Sequence, residues 1–328
     1  MILDVDVTSM YPWIAIWYSL YPQHLGMTFV NVLKKLFDIR TAAKKKNKLD
    51  PTDKASEAVN GGLKLAMNGC VGKSNDKYSY MYDPQFNMSI TVNGQLLLSM
   101  LAERIANIQD IVILQANTDG ITVRIRRDKE EEFRAICKQW EEDTGLLLED
   151  AQYKRMIIRD VNNYLAEDMK SHPKHKGIFE IIPKQNGKTA YNKNWSERII
   201  PIALEAYYLR NIPVEQTIKN HKDIFDFCIA KKFPKPWFGR FDYIENGEKR
   251  TTIFKKNIRY YISNKGSFLY KVNSADKRES QLSVGFAVTP FNLYVEKEDY
   301  DINYSYYISE TNKIINSIND GQLKMPWF

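Results

Sequence analysis

The stretch that decides the reading is Met1-Ile2-Leu3-Asp4-Val5-Asp6-Val7-Thr8-Ser9-Met10-Tyr11-Pro12. Ile2, Leu3, Val5 and Val7 form a short, β-branched apolar run, the pattern of a buried strand. Two carboxylates, Asp4 and Asp6, interrupt it. Burying an acid is costly unless it is paired or holds a cation. Asp6, at the strand's end, is therefore a candidate cation ligand, while the sequence assigns Asp4 no role. A chain that opens on a buried strand is also expected to leave apolar surface on that strand's flank for a partner to cover.

Outward from this strand, residues 31–48 carry Val32, Leu33, Leu36, Phe37 and Ile39 at helical spacing and end in a basic run. Asp50-Pro51-Thr52-Asp53 breaks that helix and caps a second one from Lys54 to Val71. The pair reads as an antiparallel helical hairpin. A helix over 87–110 leads to a strand, Ile111–Ala116, a turn at Thr118-Asp119-Gly120 and a return strand, Ile121–Ile125. Further on, the pattern predicts a helix at 128–143, strands at 153–168 and 177–182, and helices at 197–210, 214–231 and 303–319. Asn264-Lys265-Gly266 is a candidate hairpin turn between Arg259–Ile262 and Phe268–Tyr270. No internal repeat is evident. The fold class is α+β, with a helical hairpin inserted in the first part and a mostly helical second part.

The 328 residues carry a net charge of +7, which favours a polyanionic partner without specifying one. Twenty Tyr, 15 Phe and 6 Trp are enough to stack on bases as well as to fill a core. The three cysteines, Cys70, Cys137 and Cys228, are far apart, which implies a reducing compartment and no disulfide framework. No run of about 18 apolar residues is present, so no membrane span is expected. Asp4 and Asp6 also rule out a signal-peptide reading.

Three stretches carry candidate chemistry. Asp6-Val7-Thr8-Ser9-Met10-Tyr11-Pro12 resembles the D-x-x-S-x-Y-P motif of family B DNA polymerases. Lys64-Leu65-Ala66-Met67-Asn68-Gly69-Cys70-Val71-Gly72 resembles their K-x-x-x-N-S-x-Y-G motif. Ala116-Asn117-Thr118-Asp119-Gly120 resembles their Y-x-D-T-D-S motif. The three occur in the family's order. The resemblance implies a right-handed polymerase: an antiparallel-sheet palm (1–28 and 74–195), helical-hairpin fingers (29–73) and a mostly helical thumb (196–328). It implies a two-metal phosphoryl transfer on Mg²⁺, with Mn²⁺ left open. Asp6 and Asp119 would be the catalytic acids and metal ligands, joined by the Val7 backbone carbonyl. They are 119 − 6 = 113 positions apart, so the opening strand must lie beside the 111–125 hairpin.

The same resemblance places Tyr11 under the sugar, where its ring excludes a 2′-hydroxyl. It places Arg40, Lys64 and Asn68 on the incoming deoxynucleotide's triphosphate. Lys44-Lys45-Lys46 read as a solvated helix face. Tyr153-Lys154-Arg155-Met156 resembles the family's primer-contacting element. Lys154, Lys176 and Arg259 are the expected contacts to primer-template DNA, and Tyr191–Ser196 resembles a palm-to-thumb transition. Asn117 stands where the family has an acid, which removes one charge from the site. Gly69 stands for Ser, and Val71 for a base-packing Tyr. With five residues before Asp6, a 3′–5′ exonuclease domain is expected on a separate partner chain. A phage origin would put the protein in the host cytoplasm. The alternative reading, motivated by Asn117 and Val71, is a catalytically impaired DNA-binding subunit of a split or decayed polymerase.

Overall fold

The opening strand sits inside a sheet. The computed structural model, which describes residues 1–181, 196–292 and 299–323, extends Ile2–Val7 as β1. Next come helices α1 (Met10–Trp17), α2 (Met27–Leu49), α3 (Lys54–Lys73) and α4 (Pro84–Ala106). Strands β2 (Val112–Ala116) and β3 (Gly120–Arg124), helix α5 (Glu130–Thr144) and strand β4 (Leu148–Asp160) follow. The chain divides into two compact units, Met1–Arg155 with Asp168–His172, and Met156–Glu167 with Pro173–Phe328.

In the first unit the strand order is β2-β3-β1-β4. β1 pairs antiparallel with β3 on one side and β4 on the other, and the Met1 ammonium donates to the Ile125 carbonyl. The flank expected to be bare therefore has a neighbouring strand. Successive side chains alternate between faces. Leu3, Val5 and Val7 enter a core with Ile121, Val123, Ile14, Leu101 and Trp140. Each buried aliphatic contributes roughly 1.5–3 kcal/mol, enough to fix the register. A one-residue slip would exchange the apolar and acidic faces.

The helical hairpin forms as α2 and α3. The Asp53 side chain caps α3 by accepting from the Ser56 amide. α4 begins at Pro84 behind an Asp83 cap, so it starts and ends slightly earlier than its periodicity indicated.

The second unit departs from its expected helical character. After β5 (Asn163–Asp168) and β6 (Pro173–His175), helices α6 (Ile199–Arg210) and α7 (Val214–Asn220) give way to six strands. These are β7 (Ile229–Lys232), β8 (Trp237–Glu245), β9 (Glu248–Phe254), β10 (Asn257–Asn273), β11 (Glu279–Leu282) and β12 (Val288–Pro290), before α8 (Tyr304–Leu323). The segment predicted as a helix over 214–231 stops at Asn220 because Asp223 caps a separate short turn by accepting from the Phe225 amide. Where a strand is predicted at 177–182, Gly177–Phe179 form a 3₁₀ turn, and Ile182 lies outside the described residues.

The hairpin predicted at Asn264-Lys265-Gly266 is also absent. β10 runs straight through these residues with a shift of register against β12 between Ile262 and Ser267. Asp301 holds the bulge by accepting from the Ser263 hydroxyl and the Lys265 amide. A Cβ at Gly266 would come within 2.2 Å of the Val288 carbonyl oxygen. The glycine thus serves a close backbone approach and not a reversal.

Candidate active site

Asp6 lies at the end of β1, opposite Gly120 at the start of β3. The turn before β3 is shaped by Asn117, whose Oδ1 accepts from the Asp119 amide at 3.0 Å and the Gly120 amide at 2.6 Å. A short polar side chain bonding to the backbone two residues on is a turn-forming device. The Val7 amide donates to the Asp119 carbonyl at 2.6 Å. The turn is thereby tied to the end of β1, and the two acids that lie 113 positions apart become neighbours. Gly120 completes the fit, since a Cβ there would fall 2.0 Å from Asp6 Oδ1. The carboxylate fills the space a side chain would have taken.

Tyr11 belongs to the same group. Its hydroxyl pKa is raised first by burial and then by the charge of Asp119. Its ring rests on α4 at Gly94, where an added Cβ would meet Tyr11 Cε1 at 3.3 Å and Met10 Cε at 3.0 Å. Ser9, between the strand and α1, takes a left-handed backbone conformation with φ at 52°. Such a conformation costs a non-glycine residue roughly 1–3 kcal/mol and gathers at functional sites.

Arg40 of α2 is 7% exposed, and its guanidinium donates through Nη1 to Ser9 Oγ. Burial lowers its pKa, and the charge of Glu149 opposes that. One turn further, Lys44 reaches Glu149 at 2.5 Å, and Lys48 reaches the same oxygen at 3.5 Å. Glu149 is paired directly with Asp6 across β1 and β4, so both side chains share a sheet face. Burial pushes the Glu149 carboxyl up, and the Lys44 and Lys48 ammoniums more than reverse this, leaving it below its ordinary value. Lys45 and Lys46 are exposed as expected, but Lys44 faces the site.

Lys44 and Glu149 escaped the sequence reading for different reasons. Lys44 was hidden in a run of three lysines. Glu149 gave no local signal, because its position beside Asp6 follows from a long-range strand pairing.

Lys64 and Asn68 are exposed, one turn apart on α3, outside the contacts that join α2 to Ser9 and Glu149. Val71 is 3% exposed and packs in the first unit's core with Met67, so its side chain is covered in this structure and not presented to a base. Lys154 is exposed on β4 and donates to Ser171 Oγ at 2.8 Å. Lys176 and Arg259 belong to the second unit. Lys176 is exposed, whereas Arg259 is half-buried with its guanidinium 6.0 Å from the Phe225 ring centre. Tyr191–Trp195 lie outside the described residues.

Among the described residues, no three His, Cys, Asp or Glu side chains are grouped so as to hold a metal ion. A closed, all-protein cage is therefore not what this arrangement offers. Asp6 is half-buried and Asp119 exposed, on backbone segments joined at adjoining strand ends; two such acids suit a hard cation that keeps waters and takes its remaining oxygens from a substrate.

No protein-family model and no curated protein sequence matches the chain. The fold does have a structural relative. The chain is similar along its whole length to the family B DNA polymerase of the hyperthermophilic archaeon Pyrobaculum calidifontis, with a TM-score of 0.54 and 16% sequence identity. It spans 45% of that polymerase's length. The likeness is one of fold: mixed helices and antiparallel sheet arranged as in part of a DNA polymerase. No helix among the described residues is long and apolar enough to cross a membrane.

Proposed function

We infer that the chain is a template-directed DNA polymerase core that adds deoxynucleotides to a primer 3′ end. The observation that carries this reading is the meeting of Asp6 and Asp119 at adjoining strand ends, with Tyr11 and Arg40 beside them. In this role Asp6, Asp119 and the Val7 carbonyl would hold Mg²⁺ or Mn²⁺, which when bound supplies charge neutralisation for the attacking and leaving oxygens.

The chain's own residues do the positioning. Tyr11, set against Gly94, closes the space beside the sugar's 2′ carbon. Arg40 and Lys44, one turn apart on α2, meet the triphosphate together with Lys64 and Asn68 of α3. Lys154 and Lys176 meet backbone phosphates. Arg259 is left out of that set because its guanidinium lies over Phe225.

The test is primer extension with a primed template, dNTPs and Mg²⁺. Wild type is expected to extend the primer. Asp119→Ala should lose more than the roughly 100-fold that removal of an outer metal-ligand partner costs. Primer-template binding without extension by the wild type would replace this reading with a DNA-binding subunit.

A further inference from the structure

Asp4 is 3% exposed and lies two residues before Asp6 on the same face of β1. Its carboxylate accepts from Thr122 Oγ1 at 2.6 Å and from the Tyr153 hydroxyl at 3.2 Å. Thr122 stands opposite Asp4 on β3, and Tyr153 comes from β4. Thr122 Oγ1 in turn accepts from Gln115 Nε2 of β2 at 3.2 Å. Gln115, Thr122 and Tyr153 are 6%, 1% and 5% exposed. A buried polar row thus crosses all four strands of the first unit's sheet, one step along the strands from the Asp6–Gly120 pair. The hydrophobic core occupies the other face. An apolar row would have given the same strands a sheet face without the expense of burying a carboxylate.

We propose that Asp4 is a positioning residue for the Asp6–Asp119 pair, tying β1 to β3 and β4 so that the two acids are held at a fixed separation. This rests on the polymerase reading of the site. β1 delivers Asp6 and β3 begins at the Asp119 turn, and their relative position is set by two ties. One is the Val7–Asp119 backbone bond at the strand ends. The other is the Asp4–Thr122 bond, two residue pairs inward from Asp6–Gly120. Tyr153 closes the opposite side, so β1 cannot shift toward either neighbour without breaking a buried hydrogen bond. Groups that orient metal-binding side chains from the next layer out change metal affinity by about 10–100-fold when removed.

The experiment is Mn²⁺ binding to the full chain, followed by electron paramagnetic resonance without nucleotide or DNA, alongside thermal unfolding. Asp4→Asn, Thr122→Val and Tyr153→Phe are each expected to weaken Mn²⁺ binding about tenfold or more, and Thr122→Ser to restore it. The three losses should be strongly non-additive in pairs, because they break one network. Should Asp4→Asn fail to fold, the two hydroxyl deletions carry the test. Variants that melt earlier but bind Mn²⁺ as wild type does would make the row merely structural and overturn the proposal. Asp6→Asn separates the two levels. If it abolishes binding while Asp4→Asn and both hydroxyl deletions leave it intact, only the positioning role fails. If wild type binds no Mn²⁺, the metal reading of the site falls and the positioning role falls with it.

Discussion

Each unit buries an aspartate, and the two are accommodated differently. Asp226 of the second unit is 1% exposed, and its carboxylate meets Arg198 Nη1 at 2.8 Å and His221 Nε2 at 2.6 Å. Asp4 of the first unit accepts from the Thr122 and Tyr153 hydroxyls, on a sheet face that also carries Asp6 and Glu149. In the second unit cations are brought to the acid to hold an irregular turn between α7 and β7. In the first unit acids are collected on one face, and the cations arrive from a helix, through Arg40, Lys44 and Lys48. The lesson is that burial alone does not mark a functional acid. What surrounds it, and what shares its face, does.

The largest effect expected from testing this contrast is on stability. Asp226→Ala removes the buried carboxylate that Arg198 and His221 share and should cost about 3–5 kcal/mol, read by urea unfolding of the full chain. The pH dependence has a definite sign. Burial pushes the Asp226 carboxyl up, but His221 and Arg198 outweigh it and leave the pKa below its ordinary value. A depressed carboxylate stabilises the fold above its unfolded pKa, and that contribution disappears as pH falls through the folded value. The wild type should therefore lose this increment below about pH 4, and Asp226→Ala should show no such loss. An acid limb of unfolding unchanged by the substitution would contradict the assignment.

The next effect belongs to the first unit and concerns selectivity. On the polymerase reading, Tyr11→Val opens space beside the sugar and should raise ribonucleotide incorporation relative to deoxynucleotide by roughly 10–200-fold, the range for one pocket contact. Competing extension with rNTPs and dNTPs measures it, and an unchanged ratio would remove Tyr11 from the sugar site.

The smallest effect sharpens the contrast most. The Glu149 side chain is 46% exposed, so its pair with Lys44 contributes at most about 1 kcal/mol to stability. Glu149→Gln should leave the melting temperature nearly unchanged. It should lower KM for dNTPs a few-fold, because Lys44 and Lys48 no longer have a protein carboxylate competing with the triphosphate. A raised KM at fixed Mg²⁺ would instead place Glu149 among the groups that attract the metal.

Much of the first unit was legible in the sequence, for physical reasons visible in particular residues. Val5, Val7, Ile121 and Val123 alternate with polar neighbours, so their strands and buried face follow from period alone. Asp50–Asp53 stops one helix and caps the next, which fixed the hairpin. The second unit misled the same reading. Its aromatic-rich segments, such as Trp237–Glu245, alternate too irregularly to declare a strand, and Asn264-Lys265-Gly266 has turn composition without turning. Asp301, far away in the chain, supplies the acceptor that keeps β10 extended there.

The sequence by itself determined the opening strand, the helical hairpin, the turn that carries Asp119, and the identity of the acids and cations available for chemistry. These depend on local periodicity, capping and turn preference, which act over a few residues. Tertiary structure alone decided that Glu149 stands beside Asp6, that Lys44 turns inward, that Val71 is covered by the core, and that Asp4 joins Thr122 and Tyr153 across three strands. The first and last of those follow from the register of strands distant in the chain, the other two from how α2 and α3 pack on that sheet and its core. That register is set by burying Leu3, Val5 and Val7 on the opposite face, a sum of many contacts that no short stretch records.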